Sequence, residues 1–421
     1  MSNPQLFKIG WLIDGSGNEV QKKVMMSVVD SEITKIWQGW DMDIDPTVTV
    51  IDFSRCIVLP PFVDCHVHLA MSGATDPRTR KEQLAADHET LLRRMEDQLH
   101  YQFTHGVLAV RDGGDQSGAA LAYKTRGSHT KHGPVTIRAA SQALHKKGRY
   151  GEFIGSHPET GESLVDCFEK GDSSGDHVKI FNSGLNSLTE FGVESASQFS
   201  REELTALVKS ASAKGQKVMV HANGCEPVQA AVRAGCHSIE HGFFMGRENL
   251  QEMADRGTFW IPTAFTMKAF QTSLLHSDVD YSREVVEQNL EHQLEQLATA
   301  RQLGVRVALG TDSGACGVLH GESVGQELKL FLKAGYSLGE AVQCATTAGA
   351  DLLDVDTSTA LVPGQKANFL VARSTPSMLP RKISYLEAIY LDGSPCDKRF
   401  FNRQCYTTSP RPRGQGISST I

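Results

Sequence analysis

Residues 217–242 read KVMVHANGCEPVQAAVRAGCHSIEHG, and their pattern decides the architecture. Apolar residues crowd into KVMVHA, give way to a helical stretch from Pro227 to Ala234, and return in HSIEHG. A short apolar run bounded by glycine and polar residues reads as a buried strand, and the stretch between as a helix packed on it. Two buried strands joined through a helix imply a parallel pair. Working outward, the same unit recurs. VLAVRD (107–112), VTIRAA (135–140), HVKIFN (177–182), TFWIPT (258–263) and VRVALGTD (305–312) each read as a buried parallel strand ending in polar residues. Helical stretches at Lys81–Tyr101, Arg201–Lys214 and Arg283–Leu303 separate them. About eight such units predict an α/β fold, a (β/α)8 TIM barrel over residues 57–356, rather than an open sheet. No GxGxxG follows an early strand, so a dinucleotide site has no support.

The flanks have a different texture. LFKIGWLIDG, VMMSVVDSEITKIWQ and VTVIDFS lie within the first 56 residues, and LVPGQKANFLVARS and YLEAIYLDG near the other end. These are β-type runs punctuated by turn residues. They predict a small discontinuous β-sandwich domain made of 1–56 plus 357–421. The final RPRGQGISSTI is polar and glycine-rich and is expected to fray.

Composition narrows the function. The chain has 421 residues, 40% hydrophobic and 22% charged, with a formal net charge of −7. That balance suits a globular protein and offers no electrostatic case for nucleic acid or an anionic membrane as partner. Nine cysteines are spread singly with no CxxC pair, which argues against a disulfide framework and a cysteine-rich zinc site. The N-terminus has no basic segment leading into an apolar core, and no apolar run approaches a bilayer-spanning length. A cytoplasmic protein with a small-molecule substrate, assembled as a homo-oligomer, is the expectation.

The residues capable of chemistry fall at the ends of the predicted strands. His66 and His68 follow CIVLPPFVDC, and positions i and i+2 of a strand face one side, so two imidazoles enter one space. Such a pair suits a metal of zinc's character. Lys179 stands between Val178 and Ile180, where a buried ammonium is costly. Two readings are open: pairing with a nearby carboxylate, or addition of CO2 to give a carbamate, an anionic oxygen ligand. His221 closes KVMVH, His241 closes SIEH, and Asp312 closes VALGTD. A carboxylate at the end of a buried strand calls for a cation, and beside a metal it can take a proton from water.

In this order the residues resemble the amidohydrolase superfamily. PPFVDCHVHL is similar to its opening metal motif, HVKIF to its carboxylated-lysine strand, VHANG and SIEHG to its two later histidine strands, and LGTDSG to its aspartate strand. IDGSG and VPGQKANFLVA are similar to the β segments these enzymes wrap around the barrel. GTDSG, LHGE and ATTAGADLL resemble the group that holds Xaa-Pro dipeptidases, carboxypeptidases and imidazolonepropionase-like proteins. The resemblance implies two divalent ions, zinc by expectation. His66, His68 and Asp312 would hold the more buried ion, His221 and His241 the other, with carboxylated Lys179 between. It implies attack of a metal-bridging hydroxide on a C–N amide bond, with Asp312 carrying the proton to the leaving nitrogen.

Two departures bear on substrate. Ala222-Asn223 stands where dipeptidase-like members commonly have Ala-Tyr, and ALHKKGRYGEFIG replaces a Gly-Gly-His segment. His145, Lys146, Arg149, Tyr150, Asn223 and His320 are therefore candidates to contact substrate, Arg149 through a bidentate grip on a carboxylate. For the basic loop, a solvated surface is the competing reading. A dipeptide or N-acyl amino acid leads as substrate. A cyclic amide, as in lactam or imidazolone hydrolysis, is the second enzymatic reading. A catalytically silent barrel serving as a binding or assembly module is the reading from another class, and deamination is disfavoured by Lys179.

Overall fold

Seven strands lie side by side in chain order: Phe62–Val67, Val107–Asp112, Thr136–Leu144, His177–Phe181, Lys217–Ala222, Ser238–His241 and Phe259–Ile261. Every neighbouring pair is parallel. This computed structural model describes residues 4–41, 43–45, 48–126, 134–171, 174–273, 280–356 and 359–396. The polar tail 411–421 lies outside the described residues. Several of these strands are buried at every position, as in Phe62–Val67, Val107–Asp112 and His177–Phe181. That is why their sequences are apolar runs and not alternations: both faces of a parallel sheet are covered.

The expected eighth strand takes another form. VRVALGTD forms no regular strand but bridges its neighbours on either side, Val307 to Trp260 and Ser313 to Val67. Backbone bonds complete the closure: the Trp260 N–H donates to the Arg306 carbonyl and the Cys65 N–H to the Leu309 carbonyl. Gly310 permits it, since a Cβ there would stand 2.4 Å from Ile261 and 2.9 Å from the His66 Cβ. The sheet is thus nearly closed, a TIM-like barrel whose last gap is filled by an extended segment.

The helical stretch read as continuous over Lys81–Tyr101 is two helices, Pro77–Leu84 and His88–Thr104. Asp87 separates them, its carboxylate accepting the Thr90 N–H as N-cap of the second. A short polar side chain that can satisfy the orphaned first-turn N–H groups starts a helix more readily than it continues one. The stretches Arg201–Ala213, Cys225–Ala234 and Arg283–Leu303 match expectation closely.

The terminal segments build one mixed sheet of seven strands, Gln5–Leu12 and Thr49–Leu59 paired in parallel at its centre. The strand Thr49–Leu59 runs past residue 56 and hands the chain directly to the first barrel strand. The small discontinuous β domain expected from the two termini is seen in part, as this separate mixed sheet, which curls on itself. Its edge strand Glu32–Gln38 returns to bridge Lys366, and Phe7 and Tyr390, on strands three apart, bring their rings within 5.5 Å. Curling buries Phe7, Ile9, Met26, Val58 and Phe369 in a core separate from that of the barrel. Among the described residues no helix is long and apolar enough to cross a membrane, and the eight described cysteines are unbonded.

Candidate metal centre

At the C-terminal end of the barrel strands, His66, His68, Lys179, His221, His241 and Asp312 all line one cavity of about 240 Å3. Ligand atoms of His66, His68 and Asp312 lie within 4.8 Å of one another. Asp312 Oδ1 stands 3.5 Å from His66 Nε2 and 3.4 Å from His68 Nε2. Lys179 Nζ is 3.5 Å from His66 Nε2. The His221 and His241 rings pack 4.5 Å apart, and His241 lies 5.0 Å from His66. His241 and Asp312 both adopt left-handed backbone conformations, φ 65° and 58°. Strain of this kind is sustained only where surrounding contacts hold it, and it gathers at functional sites.

Hydrogen bonds set which ring nitrogen of each histidine faces the cavity. His66 Nδ1 meets Glu240 Oε2 at 2.7 Å, so it carries the proton and leaves Nε2 with a lone pair. His68 Nδ1 points at the Gly114 carbonyl at 3.4 Å, again leaving Nε2. His221 is reversed: Nε2 donates to the Gly184 carbonyl at 3.1 Å and Nδ1 is left. His241 Nδ1 bonds the Thr263 hydroxyl at 2.7 Å. Burial disfavours imidazolium in all four, bringing His68 and His221 down to about 3 and His66 and His241 well below the usual histidine range. Four neutral imidazoles with a carboxylate beside two of them are a donor set that fits a borderline divalent ion.

Burial also lowers Lys179, to about 8, against the opposing pull of the Glu240 and Asp312 carboxylates. Asp312 is raised to about 7 by burial, with Lys179 pulling it back. A neutral amine and a carboxyl group able to gain or lose a proton near neutrality are both accessible at this site.

The supports behind the ligands went unread in the sequence. Arg111 donates to Glu240 Oε1 at 2.8 Å, to Ser238 Oγ at 2.9 Å and to the Cys65 carbonyl at 2.7 Å. Asp64 accepts the Thr311 N–H at 2.9 Å and the Thr311 hydroxyl at 2.6 Å, tying the strand of His66 to the segment of Asp312. Each of these is a charged residue inside a buried apolar strand, the same signal that singled out Lys179. Applied to SIEH, VLAVRD and FVDCHV, it would have found Glu240, Arg111 and Asp64 as well.

Of the residues expected at substrate, Tyr150 and Asn223 line the cavity. Tyr150 packs 5.2 Å from the His221 ring, and Asn223 accepts the Phe243 N–H. The others stand elsewhere. Arg149 is exposed and donates to the Ala196 carbonyl, and Lys146 is exposed on the same loop. His145 is buried against His157, with Nδ1 on the Lys146 carbonyl. His320 is buried behind the wall, bonded to Ser313 and the Met71 carbonyl. The loop leaves Lys146 and Arg149 in solvent and packs apolar and aromatic side chains inward, Tyr150 against Phe181 and His221 and Ile154 in the core.

A barrel carrying histidines, a lysine and an aspartate at its C-terminal mouth defines a class of proteins with a candidate metal site there. Within that class, the chain belongs to the Amidohydrolase family, whose model matches residues 57–396. It is 29% identical to ochratoxinase of Aspergillus niger over 150 residues, 35% of this chain. That match spans 30% of the ochratoxinase, under a third of its length. Among solved structures, a Xaa-Pro dipeptidase with bound methionine aligns with TM-score 0.76 at 24% identity, covering 94% of this chain and 100% of that one. The A. niger ochratoxinase structure aligns with TM-score 0.73 at 18% identity, covering 93% and 95%.

Proposed function

We infer that this chain is a metal-dependent hydrolase of C–N amide bonds, acting on a dipeptide or N-acyl amino acid. The observation that carries the reading is the convergence of four neutral imidazoles, Lys179 and Asp312 on one cavity wall. Family membership and likeness to proteins named for dipeptidase and ochratoxinase activity support it. His66, His68 and Asp312 would hold one divalent ion and His221 and His241 a second, with Lys179 between them as its carbamate; zinc suits the nitrogen and oxygen donors. Bound there, the ions would supply an acidified water and a polarised substrate carbonyl.

The chain's own groups supply the rest. Asp312 takes the proton of the attacking water on a carboxylate oxygen and delivers it to the leaving nitrogen, a double duty suited to a group at about 7. Lys179 adds CO2 through its neutral amine, losing one proton and becoming an anion, which removes the cost of a buried ammonium. Glu240 and Thr263 hold the His66 and His241 rings in the geometry that ligation needs. Phe181, Phe243 and Phe270 line the cavity and exclude water from the reacting carbonyl.

Reconstitution with zinc and bicarbonate, followed by metal analysis and a panel of dipeptides, N-acyl amino acids, lactams and hydantoins, tests the reading. About two equivalents per chain and turnover of an acyclic amide are expected. A reconstituted protein that binds no metal and hydrolyses nothing on the panel overturns it.

A further inference from the structure

Arg80, and not Arg149, is the arginine that lines the cavity. It sits on the helix Pro77–Leu84, which follows the first barrel strand, and its Nη1 donates to the carbonyls of Ala74 and Gly314, each at 3.2 Å. Those two bonds tether the guanidinium between the loop after His68 and the loop after Asp312. They satisfy one nitrogen and leave the fork's other donors without a protein acceptor among the described residues. No carboxylate of the described residues pairs with it.

The rest of the wall gives that cation its meaning. Phe153, Phe181, Leu185, Leu188, Phe243 and Phe270 make most of it apolar. Lys179 is the only other cationic side chain among the lining residues, and carboxylation makes it an anion. Arg80 is near enough to Tyr150 for its charge to oppose, in small part, the rise that burial gives the hydroxyl. A permanent cation with unused donors, set in an apolar cavity beside the reacting groups, matches a ligand with one anionic end and a large apolar body.

We propose that Arg80 is a specificity-determining residue, binding a carboxylate on the leaving amino acid while the aromatic wall takes its side chain or the acyl group. The substrates are then N-acylated α-amino acids or dipeptides with a free carboxylate and an apolar body, and neutral amides are poor ligands. This rests on the C–N hydrolase reading: R–CO–NH–CHR′–COO− plus water gives R–COO− and +H3N–CHR′–COO−, with the C–N bond broken and the water oxygen retained by the acyl product.

The competing role for Arg80 is a strut that joins two loops, and a paired measurement separates the two. N-acetyl-L-phenylalanine and N-acetyl-2-phenylethylamine differ by the carboxylate alone. Their affinities for the zinc- and bicarbonate-loaded protein, read by calorimetry, and their KM and kcat values give an acid-to-neutral preference. Wild type should favour the acid by about 10- to 100-fold. Arg80→Met should bring the ratio near one, with the change in KM and affinity, and Arg80→Lys should keep part of it. Any contact between the ions and the carboxylate is common to all three proteins, so the change in ratio isolates Arg80. Equal weakening of both ligands by Arg80→Met, a ratio unmoved from wild type, or a wild type without preference each overturns the proposal. Loss of preference in Arg80→Met by a protein that hydrolyses neither compound, nor any amide on the panel, upholds Arg80 and sinks the hydrolase reading instead.

Discussion

His66 Nδ1 and Glu240 Oε2 lie 2.7 Å apart with both side chains wholly buried. The contact joins the first and sixth barrel strands across the interior, 174 residues apart in sequence. It fixes the tautomer of His66, and Arg111, 2.8 Å from the other carboxylate oxygen, balances the charge. Three groups that would each be expensive to bury alone are affordable together.

Replacing Glu240 with Gln should therefore act on the metal and on the fold. The His66 ring loses its anionic acceptor, and metal affinity should fall about 10- to 100-fold in a competition titration. Arg111 is left buried without its counter-charge, a loss of about 3–5 kcal/mol in denaturant unfolding. Wild-type affinity and stability would show that the contact orients nothing.

Asp312→Asn keeps the size of the side chain and removes its basicity. Turnover should drop by about 10²- to 10⁴-fold with secondary structure intact by circular dichroism. Activity near that of wild type refutes the proton-transfer role.

Lys179→Ala removes the amine that lies 3.5 Å from His66 Nε2 in the shared cavity. Metal content should fall, and rates measured with added propionate should recover in part, because a small carboxylate can occupy the vacated space. Full metal and full rate without additive rule out the carbamate.

Gly310→Ala probes barrel closure, because its Cβ would meet Ile261 at 2.4 Å and the His66 backbone nitrogen at 3.0 Å. Overpacking at a buried site typically costs about 1–3 kcal/mol. The displaced His66 should also lower metal occupancy. Unfolding and metal analysis of the purified variant check both effects, and a variant equal to wild type in each shows that the segment yields freely.

Acid should destabilise the protein through His320, which burial lowers to about 4. In the unfolded chain a histidine titrates near 6.5, so as pH falls the unfolded state binds the proton first. The neutral ring's contribution is whole above about 6.5 and is lost progressively down to about 4, at about 1.4 kcal/mol per pH unit. Urea unfolding of the chelator-treated protein across that window should show a shallower pH slope for His320→Gln than for wild type. Identical slopes mean that His320 is not the group being titrated.

Strand identity and the candidate site residues are written in local sequence, because a strand covered on both faces must be an apolar run and a charged residue inside one stands out. The run KVMVH announced a buried strand and placed His221 at its end, and HVKIF did the same for Lys179. Closure by VRVALGTD without a regular strand was not legible, since it depends on Gly310 meeting His66 and Ile261 from distant parts of the chain. Nor was the pairing behind the candidate ligands: the sequence marks Glu240 and Arg111 as charges in buried strands, and only folding sets Glu240 against His66 and Arg111. The direction of the long basic side chains was decided only in three dimensions. Arg149 and Arg80 have the same chemistry and similarly polar neighbours in sequence. Arg149 is held at the surface by the Ala196 carbonyl, and Arg80 is turned to the cavity by the Ala74 and Gly314 carbonyls. A flexible side chain goes where backbone acceptors from other loops hold it, and those loops meet only in the folded barrel.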